Sequence, residues 1–519
     1  MTINDGRATD PLDAILGVPA ATELRAWAHR TGRTIEAAEP FWQTSGFTAA
    51  RLISVTVTHR GFPPRRPVKA ILKWLPAGNA TAEARLHAAA LHDAPAAFRD
   101  THMVELTDAG VFETPNGGVG LLQHIAGGSL DHVRPARDLS DAAMPAACAL
   151  IIGKILTEWA APARHEHANV SVLDFLNLEI DESAIGADAI GAGRLAIPRS
   201  AWLSIDEDGI VANPMPTASA GLATKRMTYL AGPSHGDLHT GNILVPQNGT
   251  TAAPQLFRVI DYADYRPVAP LSRDPATLLM SALTPWITRS GAEQQHWIVR
   301  YLITPSNTAR AHLPPLVSDL IDSVRTAASA PFATDGWHDS WNDQFQLSLT
   351  AAALLHSGLD NLPTATRWQC FRLAAGLLTD FLHHRGAPIP DDARGIPTID
   401  ANVITAAHPI TSTPPRRLDH GPPTRLSVRA IGAIADALLD YPEMLNDNAR
   451  HQLISQLPPD IRGSVQYSAT PRLHVVNLIR ACADHPDGRG LLLDIIELAS
   501  GPEARHNRLR ERVDQWWTP

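Results

Sequence analysis

The sequence predicts an α+β protein with three parts: a small β-rich lobe, a larger and mostly helical lobe, and a C-terminal all-α bundle. Three observations predict this division. Runs of β-branched residues are concentrated before residue 122, and apolar residues at helical spacing dominate from about residue 142 to 384. A proline-rich stretch then precedes a further group of short amphipathic segments. The predicted boundaries are 1–40 for an N-terminal helical extension, 41–122 for the small lobe, 123–385 for the large lobe, 386–424 for a linker and 425–519 for the helical module.

Length and composition limit the classes of function. A chain of 519 residues is too long for one ordinary core, and 44% hydrophobic with 19% charged residues is typical of a globular protein. A net charge of -9 gives no support for nucleic-acid binding. The three cysteines are far apart, with no pattern of a disulfide framework or a zinc site, which predicts a reducing cytoplasm. Because no secretion signal and no apolar run of membrane-spanning length are found, no membrane partner is expected.

The small lobe contains two strand-type runs, residues 50–58 and 68–74, joined by a turn. The second run carries Lys69 and Lys73, and alternation along a strand puts both on the same face. The pattern alone therefore does not choose between the two lysines as a ligand for phosphates.

A predicted helix from about residue 80 to 92 follows these strands and carries Glu83 in its first turn. An ion pair between Lys73 and Glu83 would hold an ammonium group in place for nucleotide phosphates. The alternative is that the lysines solvate an edge strand and that Glu83 is an ordinary acid at a helix start.

Residues 235–244 contain the most informative motif, His-Gly-Asp-Leu-His-Thr-Gly-Asn-Ile-Leu. It places the carboxylate of Asp237 five positions before the amide of Asn242, and Asp261 ends a second apolar strand. Phosphoryl transfer needs a carboxylate that orients an acceptor hydroxyl, together with oxygen ligands for Mg²⁺. These three residues have the side chains that this chemistry requires.

This pair of strands resembles the catalytic hairpin of the aminoglycoside phosphotransferase and choline kinase families, relatives of the protein kinases. The resemblance implies a bilobal protein-kinase-like fold that uses ATP and Mg²⁺. It implies Asp237 as the catalytic base and Asn242 and Asp261 as Mg²⁺ ligands. It also implies that His235 and Asp274 support the catalytic loop, Asp274 lying in a Ser-Arg-Asp-Pro-Ala element.

The resemblance also points to residues that bind nucleotide. It favours Lys73 over Lys69, because the family's lysine usually follows two apolar residues near the strand end. Backbone groups of Gln123, His124 and Ile125 would hydrogen-bond the adenine at a hinge between the lobes. Gly46, in a Ser-Gly-Phe-Thr turn, is the candidate for a phosphate loop, with an ordinary hairpin turn as the alternative.

Three further segments have less specific patterns. His165, Glu166 and His167 alternate as metal ligands can, but no further ligand is suitably spaced, so a polar loop is the preferred interpretation. Residues 175–228 are expected to be a variable insertion that sets acceptor specificity. Within the linker, residues 398–405 are candidates for packing back on the large lobe.

The C-terminal module carries the phrases Ala-Leu-Leu-Asp-Tyr-Pro from Ala437, Leu-Pro-Pro-Asp-Ile from Leu457 and Arg-Leu-His-Val-Val-Asn-Leu-Ile-Arg-Ala-Cys from Arg472. These phrases resemble a bacterial effector-associated domain, a small death-fold-like helical adaptor of conflict and signalling systems. The resemblance implies that residues 425–519 dock a protein partner.

Two functions follow from these patterns. The first is an ATP- and Mg²⁺-dependent phosphotransferase with an unknown hydroxyl acceptor, recruited to a signalling or conflict system by the helical module. The second is a catalytically inactive nucleotide-binding adaptor. A stand-alone antibiotic kinase is a third possibility, but it would have no obvious use for a docking module.

Overall fold

In the computed structural model, the chain divides into two compact units, Met1–Pro409 and Ile410–Pro519. The structure describes residues 10–38, 51–60, 66–75, 80–114, 117–125, 132–181, 197–215, 221–248, 251–333, 336–359, 361–390, 394–406, 428–445, 450, 453–454, 457, 461, 465, 471–483, 488–497 and 503–517.

The small lobe of the first unit is built on a five-stranded antiparallel sheet with the order β1-β2-β3-β5-β4. Its strands are β1 (Arg33–Ala37), β2 (Arg51–His59), β3 (Val68–Leu75), β4 (Leu106–Glu113) and β5 (Val119–His124). The β2–β3 register pairs Leu52 with Lys73, and β5 places Leu121 on the other side of that lysine. The two predicted strands therefore form the centre of this sheet.

The N-terminal extension is part of this lobe. Its helices, α1 (Pro11–Leu16) and α2 (Val18–Arg30), pack apolar side chains against the inner residues of β2, including Ile53 and Val55. Asp10 caps α1 by accepting a hydrogen bond from the Leu12 N–H at 2.8 Å. The prediction of a purely helical extension is wrong, because β1 follows α2 and pairs with β2.

Two helices connect β3 to the rest of the lobe, α3 (Ala80–Asp93) and α4 (Ala96–His102). α3 begins at the predicted position and carries Glu83 in its first turn.

The large lobe is mainly helical and has one continuous apolar core. Its helices are α5 (Met144–Lys154), which continues into a π-helical turn at Ile155–Trp159, α6 (Val172–Asp181), α7 (Arg273–Arg289), α8 (Ala292–Ile303), α9 (Asn307–Ala311), α10 (Pro315–Ser329), α11 (His338–Ser357), α12 (Thr364–His384) and α13 (Ala401–Ala406).

Small sheets of the large lobe position its loops. Their strands are β6 (Val133–Pro135), β7 (His165–Ser171), β8 (Trp202–Ile205), β9 (Gly209–Ala212), β10 (Arg226–Ser234), β11 (Ile243–Asn248), β12 (Thr251–Ala252), β13 (Arg258–Val259) and β14 (Arg266–Pro270). β10 is the middle strand between β14 and β7, and β11 pairs with β6, β12 and β13.

The His-Glu-His segment is a strand, so the prediction of a polar loop there is wrong. His165 and His167 lie on the same face of β7, with their Nε2 atoms 3.0 Å apart. Among the described residues no group of three or more His, Cys, Asp and Glu side chains could hold a metal ion.

Part of the predicted linker packs on the large lobe. Ile399 is buried in the core of that lobe, and Thr398 forms a parallel bridge with Ser204. Residues 394–406 are therefore a structured edge of the first unit.

The second unit is all-α in its described parts and has its own apolar core. Its helices are α14 (Val428–Leu439), α15 (Pro442–Leu445), α16 (Pro471–Ala483), α17 (Gly488–Glu497) and α18 (Glu503–Trp516). Arg450 is fully buried, and its guanidinium donates to the Met444 carbonyl at 2.7 Å and to His474 Nδ1 at 3.0 Å.

The predicted fold class is confirmed: an antiparallel small lobe and a mostly helical large lobe form a protein-kinase-like α+β unit, and an all-α unit follows. None of the described helices combines the length and the hydropathy that crossing a bilayer requires.

Candidate active site

Residues 235–242, the predicted catalytic loop, lie between β10 and β11, and β11 pairs antiparallel with β13 as Ile243↔Val259 and Leu244↔Arg258. The Ile260 N–H donates to the Asn242 carbonyl at 3.0 Å just beyond this ladder. Because the two strands run side by side, the loop and the segment that begins at Asp261 lie next to each other. The predicted pairing of these strands is therefore observed.

Lys73 joins the small lobe to this hairpin. Its Nζ lies 2.6 Å from Glu83 Oε1 and 2.9 Å from Asp261 Oδ1, although Asp261 is 188 residues away in sequence. Lys73 and Glu83 are only 5% and 7% exposed, whereas Lys69 is exposed. The structure thus distinguishes the two lysines that the sequence pattern left equivalent.

Lys73 and Asp261 stabilise each other's charge, whereas burial, with a contribution from Asp261, raises the pKa of Glu83. Burial alone would lower the pKa of the Lys73 ammonium, but Asp261 and Glu83 outweigh burial and raise it. Burial likewise opposes ionisation of Asp261, and the adjacent Lys73 ammonium outweighs it and lowers the pKa of that carboxyl. Lys73 and Asp261 are therefore held in their charged forms.

Asp237 lies in the loop with its carboxylate partly exposed. Burial, with a further contribution from Asp264, raises the pKa of Asp237 to about 7. The amide Nδ2 of Asn242 donates to the Asp237 carbonyl at 3.0 Å, which fixes the loop at this point. A carboxylate with a pKa near neutrality is suited to act as a general base.

Asp274, at the start of α7, holds the beginning of the catalytic loop. Its carboxylate accepts hydrogen bonds from the N–H of His235 at 2.8 Å, the N–H of Gly236 at 3.1 Å and the hydroxyl of Ser234 at 3.0 Å. A buried carboxylate that accepts several hydrogen bonds is a strong local anchor. These contacts are those of a residue that supports the loop.

His235 provides a second support. Its Nδ1 accepts a hydrogen bond from the Asp237 N–H at 3.3 Å, and its Nε2–H donates to the Ile260 carbonyl at 2.9 Å. The ring therefore ties the loop to the strand that leads to Asp261.

Gly236 cannot be replaced without distortion. Its φ of +85° is in the left-handed region, and a Cβ at this position would lie 1.9 Å from the Asp264 carbonyl oxygen. The glycine of the motif is thus required by backbone conformation and by close packing.

A cleft opens between the lobes beside Lys73 and Asp261. Gln123 and His124 line it, and Ile125 is buried but is not among its described lining residues. The His124 N–H already donates to the Glu105 carbonyl at 2.9 Å. The candidate phosphate-loop residue Gly46 lies outside the described residues.

Asn242 and Asp261 carry the types of oxygen atom that bind a magnesium ion. Asn242 uses its Nδ2 within the loop, which leaves its Oδ1 available, and Asp261 uses Oδ1 for Lys73, which leaves its Oδ2. Amide and carboxylate oxygens are the ligands that Mg²⁺ prefers.

A second cavity lies beside Asp237, and Asp237 is the one residue of its lining to which the sequence analysis assigns a role. His239 is in its wall; burial lowers the pKa of this imidazole to about 4, so the ring is neutral. From the predicted variable insertion, residues 175–228, Glu179 alone among the described residues lines the cavity. The one sequence pattern that points to this lining is the position of His239, two residues after Asp237.

In the comparison with protein families, residues 435–514 in the second unit match the model of effector-associated domain 2. Comparison with curated proteins gives no match.

Among solved structures, the chain is similar to a provisionally assigned aminoglycoside phosphotransferase from Ralstonia eutropha, with 11% identity over 71% of this chain and 99% of that one, at a TM-score of 0.32. It is also similar to the ethanolamine kinase of Plasmodium vivax, with 14% identity over 68% and 83% of the two chains and a TM-score of 0.27. It is similar as well to a spectinomycin phosphotransferase in complex with ADP and spectinomycin. The identity is 8% over 72% of this chain and 93% of that one, and the TM-score is 0.25. With scores this low, the fold rests on the topology described above.

Proposed function

We propose that the first unit is an ATP- and Mg²⁺-dependent phosphotransferase that acts on a hydroxyl acceptor. The observation that carries this proposal is the contact of the buried Lys73 with Asp261 at 2.9 Å, beside a loop that presents Asp237 and Asn242. The Lys73 ammonium is costly to desolvate, so its burial beside an open cleft, in contact with Asp261, favours a functional role.

In this proposal Lys73 binds the nucleotide phosphates and Glu83 orients its ammonium group. Asn242 and Asp261 hold Mg²⁺, which neutralises charge that develops on the phosphate oxygens. Asp237 orients the acceptor and accepts its hydroxyl proton. His235 and Asp274 keep the loop in position, and the hinge backbone near Gln123 contacts the base.

The test compares Asp237→Asn with Asp100→Asn, an acid with 64% of its side chain exposed. We expect Asp237→Asn to bind ATP normally and to lose at least about 10²-fold in Mg²⁺-dependent ATP turnover, because the proton acceptor is gone. Asp100→Asn should behave like the original chain. Unchanged turnover in Asp237→Asn would refute the assignment.

The alternative is an inactive nucleotide-binding adaptor, in which the Lys73–Asp261 pair joins the two lobes and takes no part in phosphate transfer. Tight ATP binding that does not depend on Mg²⁺, with no turnover on any acceptor, would favour the adaptor over the phosphotransferase.

We further propose that the second unit docks a protein that carries a like helical domain in a bacterial signalling or conflict system. The match of residues 435–514 to effector-associated domain 2 supports this role. Isolated proteins that carry effector-associated domains should bind the full chain but not a chain that ends at residue 409. Equal binding to both chains would refute docking through this unit.

We also propose a cytoplasmic location, which is supported by three separate, buried free thiols.

A further inference from the structure

The cavity beside Asp237 has an apolar wall and a hydroxyl-bearing wall. The apolar wall comes from the end of α11 and the segment after it, through Leu355, Leu359 and Leu362. α7 supplies Ser281 and Thr284 to the other wall. A ligand with an apolar body would remove both its own surface and these leucine side chains from water.

One of the two acidic side chains that line this cavity is already paired. Glu179 is 4% exposed, and its carboxylate accepts from Arg273 Nε at 2.9 Å and from the Ser348 hydroxyl at 2.7 Å, which engages both oxygens. Asp237 is the remaining acid among the described residues that line the cavity. A polycationic acceptor would therefore find few partners here.

The positive charge in the cavity is available. The guanidinium of Arg137 lies against the catalytic loop, since a Cβ on Gly241 would be 3.3 Å from its Nη1. Arg137 is exposed and forms no ion pair within the part of the chain that the structure describes. Arginine is well suited to bind carboxylate or phosphate groups.

We propose that the acceptor is a compact alcohol with an apolar body and an anionic group, and that Arg137 selects for the anion. This inference rests on the proposed phosphotransferase function. In the transfer, the acceptor oxygen forms a bond to the terminal phosphorus of ATP and the bond from that phosphorus to the bridging oxygen breaks. ADP leaves with the bond electrons, and the hydroxyl proton goes to Asp237.

The test uses three probes that share a benzyl alcohol body: 4-(hydroxymethyl)benzoate, 4-methylbenzyl alcohol and 4-(aminomethyl)benzyl alcohol. Their dissociation constants for the full chain are measured by ligand-observed NMR. This measurement needs no phosphate transfer, so its outcome is separate from that of the turnover test of Asp237→Asn. We expect the anionic probe to bind most tightly and the cationic probe most weakly.

The variant Arg137→Gln should raise the dissociation constant of the anionic probe about tenfold, because one charged contact is lost. The dissociation constant of the neutral probe should not change. Arg289→Gln, an exposed arginine paired with Asp141 outside the cavity, is the matched control and should change nothing. Leu359→Glu should shift the preference towards the cationic probe by adding a carboxylate to the apolar wall.

Three results would overturn the proposal. These are tighter binding of the cationic probe, an unchanged preference in Arg137→Gln, and the absence of binding by all three probes at millimolar concentration.

Discussion

The two sides of the catalytic loop are built differently. On the nucleotide side, Lys73 and Glu83 are buried and form one paired network with the partly exposed Asp261. On the acceptor side, hydroxyl groups of α7 and leucines of α11 and the segment after it surround a cavity in which the charged groups Arg137 and Asp237 do not form a buried network. The difference indicates that the nucleotide side is fixed by electrostatics and that the acceptor side is shaped mainly by packing.

The largest expected effect tests the charged side. Lys73→Met should lower Mg²⁺-dependent turnover by about 10³-fold, because it removes the cation that holds the phosphates. Lys69→Met is a matched control on the same strand face, and its exposed lysine should contribute nothing. The measurement is the Mg²⁺-dependent ATP turnover of both variants. Equal losses of turnover would show that Lys73 has no special role.

A buried acid on the acceptor side should act through stability. Glu179→Gln should lower the free energy of unfolding by about 3 kcal/mol, because Arg273 would keep its buried charge without a full counter-ion. Asp141→Asn, which breaks the exposed Arg289 pair, should cost less than about 0.5 kcal/mol. Denaturant unfolding of both variants measures the difference. A larger loss of unfolding free energy in Asp141→Asn than in Glu179→Gln would contradict the assignment of Glu179 as a structural acid.

The loop between the two sides depends on its backbone. Gly236→Ala should destabilise the protein by about 2 kcal/mol, because alanine resists a φ of +85° and its Cβ would meet the Asp264 carbonyl. Gly291→Ala is the control, because its φ is -71° and a Cβ added there would have no other atom within 4 Å. Thermal unfolding compares the two variants. An equal shift in melting temperature would mean that the loop accommodates the added Cβ without strain.

The difference between the two sides also explains what could be predicted from sequence. The hairpin residues and the strand lysine belong to local patterns, so β2, β3 and the start of β11 were predicted with nearly the observed bounds. The prediction that a strand ends at Asp261 is wrong, because β13 ends at Val259 and Asp261 has a φ of +66°. The acceptor cavity has no such pattern, because Ser281 and Leu355 are ordinary helix residues until α7 and α11 pack together. β1 was missed for the same reason: its five residues become a strand through their pairing with β2, and this register is not visible in the segment itself.

The smallest expected effect concerns the contact between the loop and the acceptor wall. The hydroxyl of Ser281 accepts from the Thr240 N–H at 3.0 Å and lies 2.9 Å from the Thr240 hydroxyl. Ser281→Ala would leave that N–H without its partner, which should cost about 1 kcal/mol. Because the contact is on the acceptor side, the variant should weaken binding of 4-(hydroxymethyl)benzoate and leave ATP affinity unchanged. Ser318→Ala, a buried serine that donates to Pro315 outside the cavity, controls for loss of a hydroxyl. If Ser281→Ala weakened ATP binding as much as acceptor binding, the two sides would be coupled through the loop, and the separation of charge from packing would not hold.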